Sequence, residues 1–127
     1  MLISIIIPTF NSSQTIQNNL DSIKKQTYLN YEIVVIDNNS TDDTITLIKK
    51  NNFKNIKTII EKDSGIYDAV NKGILNSTGD LVSILHSDDI YNHNDVLKNV
   101  VNAFNQKKNV EIVYGDLVYV KNDDINS

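Results

Sequence analysis

Asp88 and Asp89 form an adjacent acidic pair directly after a short apolar run, LVSIL at 81–85. Two carboxylates at a rigid strand exit offer the oxygen-only ligands that suit Mg²⁺ or Mn²⁺. An acidic pair alone is a weak signal, because most surface acids are simply solvated. Asp42-Asp43 and Asp123-Asp124 are also pairs; the first reads as helix-dipole residues and the second as part of a polar tail. What sets Asp88-Asp89 apart is the strand in front of it. Asp37 follows EIVVI at 32–36, and Asp63 follows IKTIIE at 56–61. An acid after a second strand can accept hydrogen bonds from a base or ribose, or it can serve as a turn acid before Ser40-Thr41. His86 and His93 flank the pair. Each reads as a metal ligand or acid/base group, with a loop histidine bonded to backbone as the plainer reading. Tyr67 and Tyr91 offer rings to stack on a base or sugar, or to cover a sheet.

Alternating elements must position these residues. Residues 2–7 (LISIII) read as a strand buried on both faces and stopped by Pro8. Residues 13–27 place Ile16, Leu20 and Ile23 at helical spacing, with Ser12 or Ser13 as cap. Strand 32–36, helix 41–52 and strand 56–61 follow. Helix 67–77 puts Val70 and Ile74 on one face, with Gly79 ending the segment. Strand 81–85 is next, then a helix over 95–106 with Val96, Leu97, Val100, Val101 and Phe104 on one face. Short strands at 110–114 and 117–120 close the pattern. This β-α alternation predicts an α/β fold, a Rossmann-like, mostly parallel sheet with helices on both faces. Residues 1–120 form one domain in this reading, and 121–127 a polar tail. In such sheets ligands bind beyond the carboxyl ends of the strands, where strand order reverses. Acids at three of four exits make that edge negative, so a nucleotide diphosphate needs a divalent cation between itself and the protein.

Composition narrows the classes. The chain has 127 residues, 40% hydrophobic and 22% charged, which suits one folded domain. The net charge of −4 disfavours a nucleic-acid partner. No arginine and no cysteine occur. Anions must therefore be met by lysine, backbone N–H or a metal, and disulfides and thiolate chemistry are excluded. The apolar run 2–7 is too short to span a membrane and has no basic flank, so an intracellular, cytoplasmic location is expected. After the first strand stands Pro-Thr-Phe-Asn, not a glycine-rich G-x-G-x-x-G turn, and no Walker loop is present. Asp37-Asn38-Asn39 resembles the start of a calcium loop. Its sixth position is Asp42 and its twelfth Ile48, so that reading fails.

Four segments together carry a resemblance: IIIPTFN (5–11), VVIDNNSTDDT (34–44), DSGIYDAVNKGI (63–74) and TGDLVSILHSDD (78–89). In this order and at these intervals they resemble the nucleotide-sugar half of family 2 glycosyltransferases, inverting enzymes of the GT-A fold. The likeness covers residues 3 to about 120, and the third segment is similar to the branch that builds bacterial surface polysaccharides. The resemblance implies that Pro8, Thr9 and Phe10 line a nucleoside pocket, with Asn11 in the same substrate-binding set. It implies that Asp37 bonds the base, and that Asp68 and Lys72 face the ribose or diphosphate. Asp88 would then lie near the ribose and sugar, and Asp89 would ligate Mn²⁺ or Mg²⁺, as a DXD-like motif. His86 stands where the family has Asn or Asp.

The implied reaction is transfer from a nucleotide-sugar, by default a UDP-sugar, to a saccharide or lipid-linked acceptor. It would take place in the cytoplasm at the inner face of the membrane. Family members continue past this point, and their general base lies in the half that follows; Asp116 is not assigned that role. A donor-binding module without turnover is therefore a second reading, and a phosphorelay receiver domain a third. With later chain missing, the strand around Leu117 to Val120 is expected to be an exposed edge, with a homodimer as its consequence.

Overall fold

The computed structural model describes residues 1–106, 112–114 and 117–121. Asp116 and the tail from residue 122 lie outside the described residues. The elements run β1 (Ile3–Thr9), α1 (Ile16–Lys24), β2 (Tyr31–Asp37), α2 (Thr44–Lys50), β3 (Ile56–Ile60), α3 (Ile66–Leu75), β4 (Leu81–Ile84), α4 (Val96–Gln106), β5 (Ile112–Tyr114) and β6 (Leu117–Lys121). They form a sheet of order β3-β2-β1-β4-β6-β5. β1 to β4 are mutually parallel, and β6 is antiparallel to both β4 and β5.

β1 is central because its side chains are apolar on both faces. Ile3, Ile5 and Ile7 join one core with α1, α2 and α4, while Ile6 joins a second core with Ala69 of α3. All four isoleucines are fully buried, and each burial contributes about 1.5–3 kcal/mol. The two faces follow from handedness. The crossovers β1-α1-β2 and β2-α2-β3 step one way along the sheet, and β3-α3-β4 steps back. Right-handed connections therefore place α3 on the opposite face from α1 and α2.

Several boundaries differ from the sequence expectation. β1 does not stop at Pro8 but runs on through Thr9, paired with Asp37 of β2. Proline is tolerated there because its missing N–H faces the β4 side, where pairing ends at Ile6 and Ile84. α1 is shorter than 13–27, and its N-cap is Thr15, without a side-chain cap bond. Asp42 and Asp43 precede α2 rather than forming its first turn. On α3 the fully buried line is Ala69 and Gly73, not Val70 and Ile74. A methyl group at Gly73 would land on the Ile6 side chain, so the small residues set how closely α3 approaches the sheet. Gly79 lies beyond the α3 C-cap at Asn76. It lets the chain pass close to β1, where a Cβ would meet Ser4 Oγ at 2.6 Å.

The expected edge at Leu117 to Val120 is also corrected. β6 lies between β4 and β5, because the short β5 pairs with its far side. The strands at the two ends of the order are β3 and β5, so the reason given for a homodimer falls away. The receiver reading falls too: that class has strand order 2-1-3-4-5, unlike the order seen here. Among the described residues, no helix is long and apolar enough to cross a membrane.

Candidate nucleotide-sugar site

Strand order reverses between β1 and β4, and past Ile6 and Ile84 the two strands no longer pair. A cleft of about 470 Å³ opens there, lined by Pro8 to Ser12, Thr15, Asn38, Asp63, Gly65, Ile66, Ala69 and His86 to Asp88. Of the residues singled out in the sequence, it brings together Pro8, Thr9, Phe10, Asn11, Asp63, His86 and Asp88. Asp37, Asp68, Lys72 and Asp89 are not part of the lining.

Asp37 stands behind the wall. It is 0% exposed, and both its oxygens are used. Oδ1 accepts from Thr9 Oγ1 and Ser40 Oγ, each at 2.6 Å, and Oδ2 accepts from the Ser40 amide at 2.8 Å. The Ser40 hydroxyl in turn accepts from the Asn11 amide at 2.8 Å. Asp37 therefore ties the β1 exit to the β2 exit, which is the turn-acid alternative in an extended form. The next residue, Asn38, faces the cleft instead. Its Oδ1 accepts from the Asp63 amide at 3.0 Å and so joins the β2 and β3 exits. Sequence reasoning passed over Asn38, although strand alternation makes it the residue whose side chain opposes that of Asp37.

The glycine loop after β3 is tied in the same way. Asp63 Oδ1 accepts from the Gly65 amide at 3.0 Å, and Gly65 has φ +127°, a region glycine enters without strain. Asp68 Oδ2 accepts from the Ser64 amide at 3.0 Å and lies 3.3 Å from Lys72 Nζ. The Ser64 bond, more than the lysine, holds the Asp68 carboxyl below its ordinary range. Lys72 also pairs with Glu61 at 3.2 Å. Partial burial opposes its charge, but the two acids outweigh this and raise its pKa. Lys72 is thus committed to acids on α3 and β3's exit. Among the described residues no lysine lines the cleft.

The β4 exit differs from the others. The Asp89 amide donates to His86 O at 2.9 Å, closing a turn around Ser87 and Asp88. Ser87 Oγ meets Ser12 Oγ at 2.7 Å, joining this turn to the β1 exit. Asp88 is exposed and Asp89 half-buried. Among the described residues neither carboxylate has a hydrogen-bond or ion-pair partner. His86 lines the cleft, whereas His93 accepts the Asp95 amide on Nδ1 at 3.1 Å, a backbone-bonded loop role. Tyr91 is 4% exposed and its hydroxyl meets Ser83 Oγ, so it belongs to the core; Tyr67 is open to solvent. Among the described residues no three acids or histidines cluster as a preformed metal cage. Mg²⁺ and Mn²⁺ at phosphate sites rely on one or two carboxylates plus the substrate's oxygens. The unpaired Asp88-Asp89 acids fit that donor set.

A doubly wound, mostly parallel sheet with a cleft at its switch point has the α/β architecture of the GT-A fold. The family model described as glycosyl transferase family 2 matches residues 4–126, and the chain belongs to this family. It is 33% identical over 120 residues to a PGL/p-HBAD biosynthesis glycosyltransferase of Mycobacterium bovis, covering 92% of this chain and 47% of that protein. It is 31% identical over 125 residues to the Escherichia coli UDP-Glc:alpha-D-GlcNAc-diphosphoundecaprenol beta-1,3-glucosyltransferase WfgD, covering 98% and 49%. The chain thus spans about half the length of these curated relatives. Among solved structures it is similar to S. aureus TarS 1-349 in complex with UDP-GlcNAc, with TM-score 0.78, 30% identity and 84% and 32% coverage. The fold also matches the Pyrobaculum calidifontis mannosyltransferase PcManGT in complex with GDP-Man and Mn²⁺, with TM-score 0.85, 23% identity and 95% and 44% coverage.

Proposed function

We propose that this chain forms the donor-binding part of an inverting, metal-dependent glycosyltransferase that takes a UDP-sugar. One observation carries the reading: the cleft at the switch point ends at Asp88, next to Asp89, and among the described residues neither carboxylate has a partner and no lysine joins the lining. The UDP assignment is supported by the names of WfgD and of the TarS complex. Pro8, Thr9 and Phe10 form the nucleoside wall, with Asn38 beside them and Asp37 holding Thr9 from behind. Asn11 braces the same wall, its Oδ1 accepting from the Thr41 amide at 2.8 Å. Asp68 in the first turn of α3 and Lys72 in its last turn lie toward the ribose or diphosphate, and Asp68 fixes the Ser64 amide. Asp88 faces the ribose and sugar, and Asp89, with Asp88 beside it, holds Mn²⁺ or Mg²⁺. When bound, that cation supplies positive charge to the leaving diphosphate. An acceptor hydroxyl attacks the anomeric carbon in line, and its proton goes to a general base outside the described residues. A lipid-linked saccharide at the cytoplasmic face of the membrane is the proposed acceptor class, by analogy with the diphosphoundecaprenol substrate in WfgD's name.

Calorimetric titration of UDP into the purified protein, with and without Mn²⁺, tests the reading. Binding is expected to strengthen at least ~10-fold with Mn²⁺, and Asp89→Ala is expected to remove that gain without lowering the melting temperature. Mn²⁺-independent binding, or an Asp89→Ala protein that keeps the gain, would overturn it.

A further inference from the structure

Three polar residues of α1 and the turn that follows it have no part in the reading above. Asn19, Ser22 and Gln26 are 0%, 8% and 3% exposed. Their spacing places them on one side of the α1 region, facing inward. A buried polar stripe needs partners. Ser22 Oγ donates to Asn19 O at 2.7 Å and Gln26 Nε2 to Ser22 O at 3.3 Å, and the remaining partners among the described residues are backbone groups of residues 86–97. Asn19 Nδ2 donates to His86 O at 2.9 Å and to Asp89 O at 3.0 Å. Ser22 Oγ accepts from the Tyr91 amide at 3.1 Å. Gln26 Nε2 donates to His93 O at 2.7 Å, and its Oε1 accepts from the Leu97 amide at 3.1 Å.

Asn19 is the member that reaches the acidic turn. Both oxygens facing it are carbonyls, which only accept, so its NH₂ group must point at them. Its Oδ1 is buried with no hydrogen-bond partner among the described residues. The side chain therefore serves the loop at the expense of its own second polar atom. Its two bonds bracket Ser87 and Asp88, inside the turn that the Asp89 amide closes onto His86 O. On the cleft side the same turn is fastened by Ser12 Oγ and Ser87 Oγ. The turn is thus fastened from α1 and from the β1 exit, and among the described residues the two carboxylates remain without a partner.

We propose that Asn19 is a positioning residue: from α1 it sets the placement of Asp88 and Asp89 toward a divalent cation and diphosphate. This rests on the donor-site reading. The test compares the parent protein with Asn19→Ala, Asn19→Ser and Ser22→Ala by amide hydrogen exchange and by UDP titration at graded Mn²⁺. In Asn19→Ala, exchange of the Asp89 amide is expected to rise at least ~10-fold, and the Mn²⁺ needed for half-maximal UDP binding to rise about tenfold. UDP binding without metal should not change. Ser22→Ala removes the Tyr91 anchor of similar burial from the same helix, together with a local bond to Asn19 O. It should loosen Tyr91 while leaving the Mn²⁺ requirement within about twofold. Asn19→Ser shortens the side chain less drastically, leaves a hydroxyl, and carries both measurements if Asn19→Ala does not fold. An Asp89 amide that stays protected overturns the inference, as does a Ser22→Ala protein that needs as much added Mn²⁺. A parent protein that binds no UDP with Mn²⁺ sinks the donor reading itself; the exchange arm still decides whether Asn19 fastens the turn.

Discussion

Glu32 and Asp37 stand at opposite ends of β2, 7% and 0% exposed, and each collects hydrogen bonds across the sheet. Glu32 accepts from Ser4 Oγ and the Thr78 amide, both at 2.6 Å, and from Thr78 Oγ1 at 3.0 Å. Ser4 Oγ then accepts the Gly79 amide at 2.8 Å. This end is closed: the chain before β4 lies so near β1 that Gly79 has no room for a side chain. At the other end, among the described residues, the Asp37 carboxylate binds only the β1 and β2 exits, and β4 has parted from β1. The same device, a buried acid tying strand ends, therefore gives a sealed seam at one edge and a braced opening at the other. What separates them is the reach of β4, not the chemistry of the acid.

Three substitutions or conditions probe this contrast. The largest effect is expected for Asp37→Ala, which leaves Thr9 Oγ1, Ser40 Oγ and the Ser40 amide without their acceptor. A loss of about 3 kcal/mol in urea unfolding is expected, together with UDP binding weakened at least ~10-fold because Thr9 is freed. Retained UDP affinity at that stability loss would separate the brace from the site. Glu32→Ala is expected to cost about 2 kcal/mol and to leave UDP affinity within about twofold, since the seam is remote from the cleft. If it weakens UDP as Asp37→Ala does, the two ends are one cooperative unit and the contrast fails.

The smallest effect is acid sensitivity. Burial pushes the Glu32 pKa up, but the Ser4 and Thr78 hydrogen bonds outweigh it and leave it lowered. Asp42, bonded first by the Thr44 hydroxyl and also by the Thr44 and Ser13 amides, is lowered to about 2. A lowered folded pKa adds stability above the unfolded value, and that stability is lost as pH falls through the folded one. Urea midpoints should thus be flat from pH 7 to about 5 and fall below about 4. Glu32→Gln and Asp42→Asn should each flatten part of that fall, and a fall unchanged in both would assign it to other acids.

The strands were legible in the sequence because burial on both faces leaves only apolar, β-branched runs such as Ile5 to Ile7 and Ile33 to Ile36. α4 was legible through its single apolar face. α1 was legible only in part. The inward-facing Asn19 and Ser22, and Gln26 just past the helix, look like solvent residues to any hydropathy pattern, because most of their partners are backbone carbonyls and amides far along the chain. The cleft's place at the strand exits followed from topology, and Pro8 to Asn11 and Asp88 do line it. The choice between Asp37 and Asn38 was not legible. Neighbouring residues point to opposite sides, and no local signal says which side the cleft takes. The Lys72 pair with Glu61 was likewise hidden, since it depends on how α3 lies against the β3 exit, whereas the pair with Asp68 is an i,i+4 pair within α3.

The central place of β1 has a consequence for how the chain is made. The Leu2 amide and its Asp80 partner are 78 positions apart. At ~5–20 residues per second, synthesis separates them by roughly 4 to 16 seconds. During that interval β1 can pair with β2 as soon as β2 emerges, but its other ladder of amides and carbonyls has no strand to meet. An isoleucine-rich edge is then displayed beside the ribosome. A nascent chain of this protein is most vulnerable to association with its neighbours before β4 appears, and slowing initiation while leaving elongation fast should raise its soluble yield.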